Sequence, residues 1–316
     1  MTGASRGAGL DVGIYVPQLA LAYDDILARA RLCEELGFSL WLFDHLYGPE
    51  LPETPAFEGW TLATALLAQT ERLRVGHLVL CATFRHPALL GRMATTLDVI
   101  SGGRLELGIG SGSYEPEHER AGIPWGTFAE RSVLLGETLE ILTRMFEQPR
   151  TTYEGERFCV RDLPNLPPPV QQPRPPIHVG GVGERYTLPL VARFADVWNV
   201  PTYALGQIDA KRAVLDAECE RIGRDPASIR TSLEAVLVLG ADDAALSEQL
   251  AKAERRYPSP GFGLHEGGFI GTPARLVDHI GAHVERGIRS FVFFTPDRAG
   301  EPTLRLLSEE VLPAFS

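Results

Sequence analysis

Four short stretches of the chain combine residue types that can do chemistry. Asp44-His45 closes the run SLWLFDH: a histidine gives or takes a proton near neutral pH, and a carboxylate beside it can fix its tautomer. In GIGSGSYEPE, Gly108, Gly110 and Gly112 free the backbone for close approach to a flat ring or a phosphate, and tight turn geometry accounts for such a run equally well. VGGVGER sets Gly180, Gly181 and Gly183 between an apolar run and a helical pattern, where exposed amides and the helix dipole favour an anion, with Arg185 close behind. Arg85, in CATFRHP with Thr83, Phe84 and His86, could bind an anion, cap a helix or pair with an acid. Residue type alone leaves each reading open, because a histidine can be structural and a glycine turn only a turn. Position decides, and position comes from the elements that carry these residues.

Those elements alternate. VGIYVP (12–17) is short, apolar and β-branched, as a buried parallel strand should be. A helix over 23–36 follows, with Ile26, Ala30 and Cys33 on one face and Gly37 where a C-cap glycine belongs. Strand SLWLFDH, helix 59–69, strand 73–80, helix 87–100 and strand 104–110 repeat the unit. The longest helix lines Leu135, Leu139, Leu142 and Phe146 on one face, and TTYEGERFCVRD reads as a small hairpin around Glu154-Gly155. The proline-dense 164–176 reads as a stiff surface connector into strand PIHVGG. Helix 184–195, strand DVWNV, helix 204–222, strand 230–239, helix 272–286, strand 290–294 and a last helix from 303 to about 312 complete the chain.

Eight strands, each followed by a helix, fit a single closed (β/α)₈ TIM barrel with insertions at its C-terminal mouth better than an open doubly wound sheet. Residues 1–10 are expected to be a flexible tail and 11–316 the barrel domain. In a barrel the chemistry gathers at the C-terminal strand ends, which favours function for Asp44-His45 and for the glycines after strands four and five. Residues 255–270, RRYPSPGFGLHEGGFI, have the glycines and aromatics of a lid over the mouth, and a plain surface loop accounts for them equally well.

Totals narrow the class further. The net charge is −11, with 41 acidic against 30 basic residues, which argues against nucleic-acid binding. No apolar stretch approaches the roughly 20 residues of a membrane span. Cys33, Cys81, Cys159 and Cys219 are scattered without a C-x-x-C pair, so no zinc site is indicated, and buried thiols in a reducing cytosol are expected. No apolar core of a signal peptide opens the chain, in keeping with a cytoplasmic protein. TGASRGAG (2–9) imitates a dinucleotide fingerprint, but no strand delivers the chain to it and no helix receives a phosphate after it.

FDHLYG, the block LRVGHLVLCATFRHPALLGRMATTLDVISGGRLELGIGSGSYEPEH, and PPIHVGGVGERYTLPLVARFADVWNV together resemble the bacterial luciferase-like flavin and deazaflavin oxidoreductases, especially the actinobacterial branch that uses coenzyme F420. The resemblance covers nearly the whole chain. It implies a TIM barrel with a ring across the mouth and its phosphate by the helix after strand five. Asp44-His45 matches the family's Asp-His pair, with His45 managing a proton and Asp44 orienting it. Leu78-Val79 falls where deazaflavin members carry a bulge with a non-prolyl cis peptide backing the ring. Gly110 and Gly112 fall beside the ring, and Gly180, Gly181, Val182 and Gly183 match the phosphate turn. The implied activity is hydride transfer between F420 and a small or medium organic substrate, in a homodimer. FMN-dependent monooxygenation with O₂ and a partner reductase is the alternative, and a non-catalytic flavin-binding barrel is the reading that the retained Asp44-His45 argues against. The sugar-phosphate branch has an acid at the position of Ser113 and a tryptophan at that of Pro49, so glucose 6-phosphate oxidation is not implied here.

Overall fold

Parallel strands covered on both faces are largely apolar and buried along their length: Leu105–Gly110 is buried at every residue, and so is Ser39–Leu42. The structure, a computed structural model, describes residues 9–257 and 262–316. The expected tail and nearly all of TGASRGAG therefore lie outside the described residues.

Eight strands form the barrel: β1 Asp11–Tyr15, β2 Ser39–Leu42, β3 Val75–His77 resuming at Leu80–Cys81, β4 Leu105–Gly110, β5 Ile177–Gly180, β6 Val197–Pro201, β7 Arg230–Leu239 and β8 Ser290–Phe294. Each pairs in parallel with the next, and β8 pairs with β1 through Asp11 to Ser290 and onward, which closes the cylinder. The helices expected between strands are present. In Tyr23–Leu36 the residues Ile26, Ala30 and Cys33 are buried and Gly37 takes the left-handed C-cap at φ 78°. In Phe128–Glu147 the stripe Leu135, Leu139, Leu142 and Phe146 is buried, and Thr127 with Glu130 forms a capping box.

Several boundaries differ from the sequence reading, each for a physical reason. The third strand is interrupted at Leu78-Val79, whose peptide is cis, and it re-enters the sheet against Ile109 and Gly110. A helix at Glu115–Ala121 follows β4; it is short and polar, without an apolar stripe to announce it. Asp243–Arg256 is also helical, capped by Asp242, yet buries only Ala253 and so shows no periodicity. It takes Arg255 and Arg256 out of the expected lid, and Phe269–Gly271 adds a short strand beside β7. Residues 258–261 of that segment lie outside the described residues. Cys159 is exposed on the hairpin Arg150–Glu154 with Cys159–Pro164, while Cys33, Cys81 and Cys219 are buried. No helix among the described residues is long and apolar enough to cross a membrane.

Inside the barrel, Trp41 packs with Leu78 and Val292. Room for its indole comes from Gly13 and Gly76: a Cβ at Gly76 would stand 2.5 Å from Cζ3 of Trp41, and one at Gly13 would meet the indole nitrogen. Below it, Glu106 binds Arg74 at 2.6 Å and His178 at 2.9 Å, which keeps a buried carboxylate hydrogen-bonded. Gly76→Ala is expected to destabilise the chain by about 1 to 3 kcal/mol through overpacking, with part regained by adding Trp41→Phe. Urea midpoints of the single and double variants test this; a Gly76→Ala chain as stable as the parent would mean that the indole does not fill the barrel.

Candidate active site

At the C-terminal mouth lies a cavity of about 470 Å³, within the range of small-molecule and cofactor sites. Ten of the residues singled out from the sequence line it, whereas Arg85, Gly108 and Arg185 do not. Asp44 and His45 come from the end of β2, Leu78 and Val79 from the interruption of β3, and Gly110 and Gly112 from the end of β4. Gly180, Gly181, Val182 and Gly183 close the wall after β5.

The sequence reading paired Asp44 with His45, and the structure corrects it. Both oxygens of Asp44 accept from Arg85, at 2.7 and 2.8 Å, and one also accepts from the amide of Cys81 at 2.8 Å. Both residues lie beyond the end of β2, and their partners differ: Asp44 meets Arg85 of the β3 loop, whereas His45 meets the helix after β4. Asp44 is buried and Arg85 half-buried, and the same guanidinium reaches Glu58 at 2.7 Å, whose carboxylate caps the helix Gly59–Ala68. Of the roles open to Arg85, pairing with acids is the one observed.

His45 is oriented instead by Glu117, from the short helix after β4. Its Nδ1 lies 2.8 Å from Oε1 of Glu117, and Oε2 accepts from the amide of Leu46 at 3.0 Å. Glu117 is 2% exposed, so this carboxylate is spent on the histidine and its neighbour. An ionised carboxylate only accepts, which assigns the proton of the neutral ring to Nδ1 and leaves Nε2 as the nitrogen with a lone pair. Nothing local in the sequence ties residue 45 to residue 117; Glu117 stood in a stretch read only for its glycines and for Ser113.

The glycines make close approach possible. A Cβ at Gly110 would stand 2.7 Å from Cγ2 of Val79, and one at Gly180 would stand 3.2 Å from Cγ1 of the same valine. Gly181 has φ 113°, a conformation that suits glycine. The turn differs from the expected one in a detail: the helix starts at Thr187, not Glu184, and the amide of Gly181 is used by the carbonyl of Asn199 at 3.1 Å. The amides of Val182 and Gly183 have no partner among the described residues, whereas the Gly183 carbonyl accepts from Thr187 and Leu188 at 2.9 Å each. Arg185 packs over Tyr186 rather than closing the turn.

The floor carries groups that the sequence reading missed. Glu234 on β7 is pushed up to about 8 by burial, and Tyr15 on β1 is raised by burial and then by Glu234. Burial also pushes the Cys81 thiol up to about 11. None of the described residues of 255–270 lines the cavity. Among the described residues no three His, Cys, Asp or Glu side chains are grouped to hold a metal ion.

Comparison with known proteins matches the luciferase-like monooxygenase family over residues 6–292, and the chain belongs to that family. It is 29% identical to an F420-dependent glucose-6-phosphate dehydrogenase of Microbacterium testaceum, across 92% of this chain and 93% of that one. Among solved structures it is similar to the coenzyme F420-dependent tetrahydromethanopterin reductase of Methanopyrus kandleri, with a TM-score of 0.81 at 18% identity over 98% of this chain and 100% of the other. It is equally similar to the monooxygenase RslO1 of Streptomyces bottropensis, with a TM-score of 0.81 at 20% identity over 97% and 100% of the two chains. These two likenesses show the fold.

Two stability outcomes follow from the site. Asp44→Asn leaves the half-buried Arg85 short of its main partner and is expected to cost about 3 kcal/mol, while Asp44→Asn with Arg85→Met costs less, as read from chemical denaturation. Glu234 has a folded-state value above its ordinary 4.5, so its contribution is complete below that pH and is lost as pH rises through about 8. Stability relative to Glu234→Gln is expected to fall by a few kcal/mol, in order of magnitude, between pH 5 and 9. Parallel pH curves for the two proteins would refute it.

Proposed function

We propose that this member of the luciferase-like family is an oxidoreductase that binds coenzyme F420 across the barrel mouth and transfers a hydride between it and a small or medium organic substrate, with His45 managing the proton. The observation that carries the reading is the convergence, in one cavity, of a histidine with a fixed tautomer, the Leu78-Val79 interruption and two glycine turns. The relative from Microbacterium testaceum, named as F420-dependent and aligned along almost the full chain, supports the choice of coenzyme.

The residues fit such a group. Glycine at 110 and 180 keeps the backbone beside Val79 open to a flat ring, and the amides of Val182 and Gly183 suit a phosphate. When bound, F420 supplies a carbon that gives or accepts a hydride. The chain's own part is positional and protonic. Val79 and the glycines back the ring, Asp44 with Arg85 holds the amide of Cys81 and so the end of the interruption, and Nε2 of His45 accepts or donates the proton while Glu117 keeps the imidazole in register.

Titration of the purified chain with F420 and with FMN, followed by fluorescence, tests the coenzyme. Saturable F420 binding is expected; tight FMN binding without F420 binding would move the site to FMN-dependent monooxygenation. His45→Ala is expected to keep coenzyme affinity within a few-fold and to slow hydride transfer by about 10² to 10⁴. Unchanged turnover would make His45 structural.

A further inference from the structure

One side of the cavity carries polar groups for which the reading above has no use. Asn199 on β6 is 2% exposed and lines the cavity, and its side-chain nitrogen has no partner among the described residues. Glu234 on β7 sits opposite Pro201 of β6, two residues beyond the partner of Asn199 in the direction of the mouth. Its carboxyl lines the cavity without a hydrogen bond or ion pair to another described residue. The ionisable groups that face it are Tyr15 from β1 and Tyr203 from the turn after β6; Asp44 and Tyr257 act on Tyr15 in turn. None is cationic.

The whole cavity repeats that pattern. Asp44, Glu117 and Glu234 line it, and among the described residues no lysine or arginine does. Arg85 occupies Asp44 and His45 occupies Glu117, which leaves Glu234 as the unengaged acid. Of the chain's two lysines, Lys211 pairs with Glu184 at 2.8 Å and Lys252 lies on the helix Asp243–Arg256.

We propose that Glu234 is a substrate-recognition residue whose carboxyl hydrogen-bonds to the hydroxyl or carbonyl oxygen of an uncharged substrate, and that this wall turns phosphorylated and carboxylated substrates away. The proposal rests on the reading above and names its substrate class. A phosphate placed on this side would be desolvated among carboxyl groups with no cation to offset it, a strongly unfavourable arrangement. An uncharged oxygen meets the opposite situation. Burial keeps Glu234 protonated through neutral pH, so it offers an O–H donor, and the Asn199 amide offers an N–H donor one step deeper. The substrate of the relative named for glucose 6-phosphate carries the charge that this wall lacks any means to hold.

The test uses the chain loaded with F420 and follows loss of deazaflavin absorbance with 2-propanol, cyclohexanol and glucose 6-phosphate. Reduction by an uncharged alcohol is expected, with none by glucose 6-phosphate and no inhibition by inorganic phosphate at equal concentration. Glu234→Ala is expected to raise KM for the alcohol about tenfold or more. Glu234→Gln, which keeps a donor, should recover most of that loss and abolish the decline of wild-type kcat/KM above pH 8. Saturable reduction by glucose 6-phosphate, competition by phosphate, coincident pH profiles of wild type and Glu234→Gln, or a loaded enzyme that accepts no alcohol would each overturn the proposal. If F420 does not bind at all, the preceding reading fails instead, and Glu234 is judged by melting temperature: stabilisation by cyclohexanol but not phosphate, absent in Glu234→Ala, supports it, and any other pattern overturns it.

Discussion

The mouth of this barrel is organised around one ion pair. Asp44 and Arg85 join the end of β2 to the loop after β3 through two short hydrogen bonds, and neither partner tolerates the loss of the other in so dry a place. Because the same carboxylate holds the amide of Cys81, it pins the chain just beyond the Leu78-Val79 interruption. Because the same guanidinium binds Glu58, it also anchors the start of the next helix. Gln18 completes the brace, accepting from the amide of Phe43 and donating to the carbonyl of Phe57. One charged pair thus fixes the position of the residue before His45 and of the wall opposite it.

With Asp44 committed to structure, the histidine needs another partner, and Glu117 is that partner. The arrangement is a division of labour between neighbours in sequence: Asp44 builds and His45 is left available. Placing the orienting carboxylate on an inserted helix, 72 residues away in the chain, couples the histidine to the packing of that helix. His118 beside it is fully buried and bonded to Thr83 at 2.7 Å and to the Tyr114 carbonyl at 3.0 Å, which ties the inserted helix back to the β3 loop.

What the sequence made legible is the part governed by local periodicity and by strand ends. The eight barrel strands could be read because each is a short apolar run followed by a helical stripe or a glycine cap, and a barrel sends strand-end residues to one mouth. The polar helices at Glu115–Ala121 and Asp243–Arg256 escaped because helix without a buried stripe has no period to read. Partnerships escaped for a different reason. Asp44 and His45 are adjacent in sequence, which suggested a pair, whereas both lie beyond the end of β2 and tertiary contact gives them Arg85 and Glu117 as partners. Glu234 was invisible within an apolar strand, since a single acid in RTSLEAVLVL carries no motif.

The electrostatic character of the cavity follows from these partnerships. Two of its three acids are engaged, Asp44 by Arg85 and Glu117 by His45, and burial pushes the third up to about 8, so the space presents donors and apolar surface while holding little net charge. Such a space suits hydride transfer in one further respect. A hydride moves as an electron pair, and a floor without strong fixed charge neither repels the oxyanion that grows when a carbonyl accepts the hydride nor traps it; neutral Glu234 and Asn199 donors can follow that charge as it grows. The same floor offers nothing to bind an anion tightly in the ground state. Selectivity and catalysis would then share one cause in the proposed reading, the absence of cations on the β6–β7 side of the mouth.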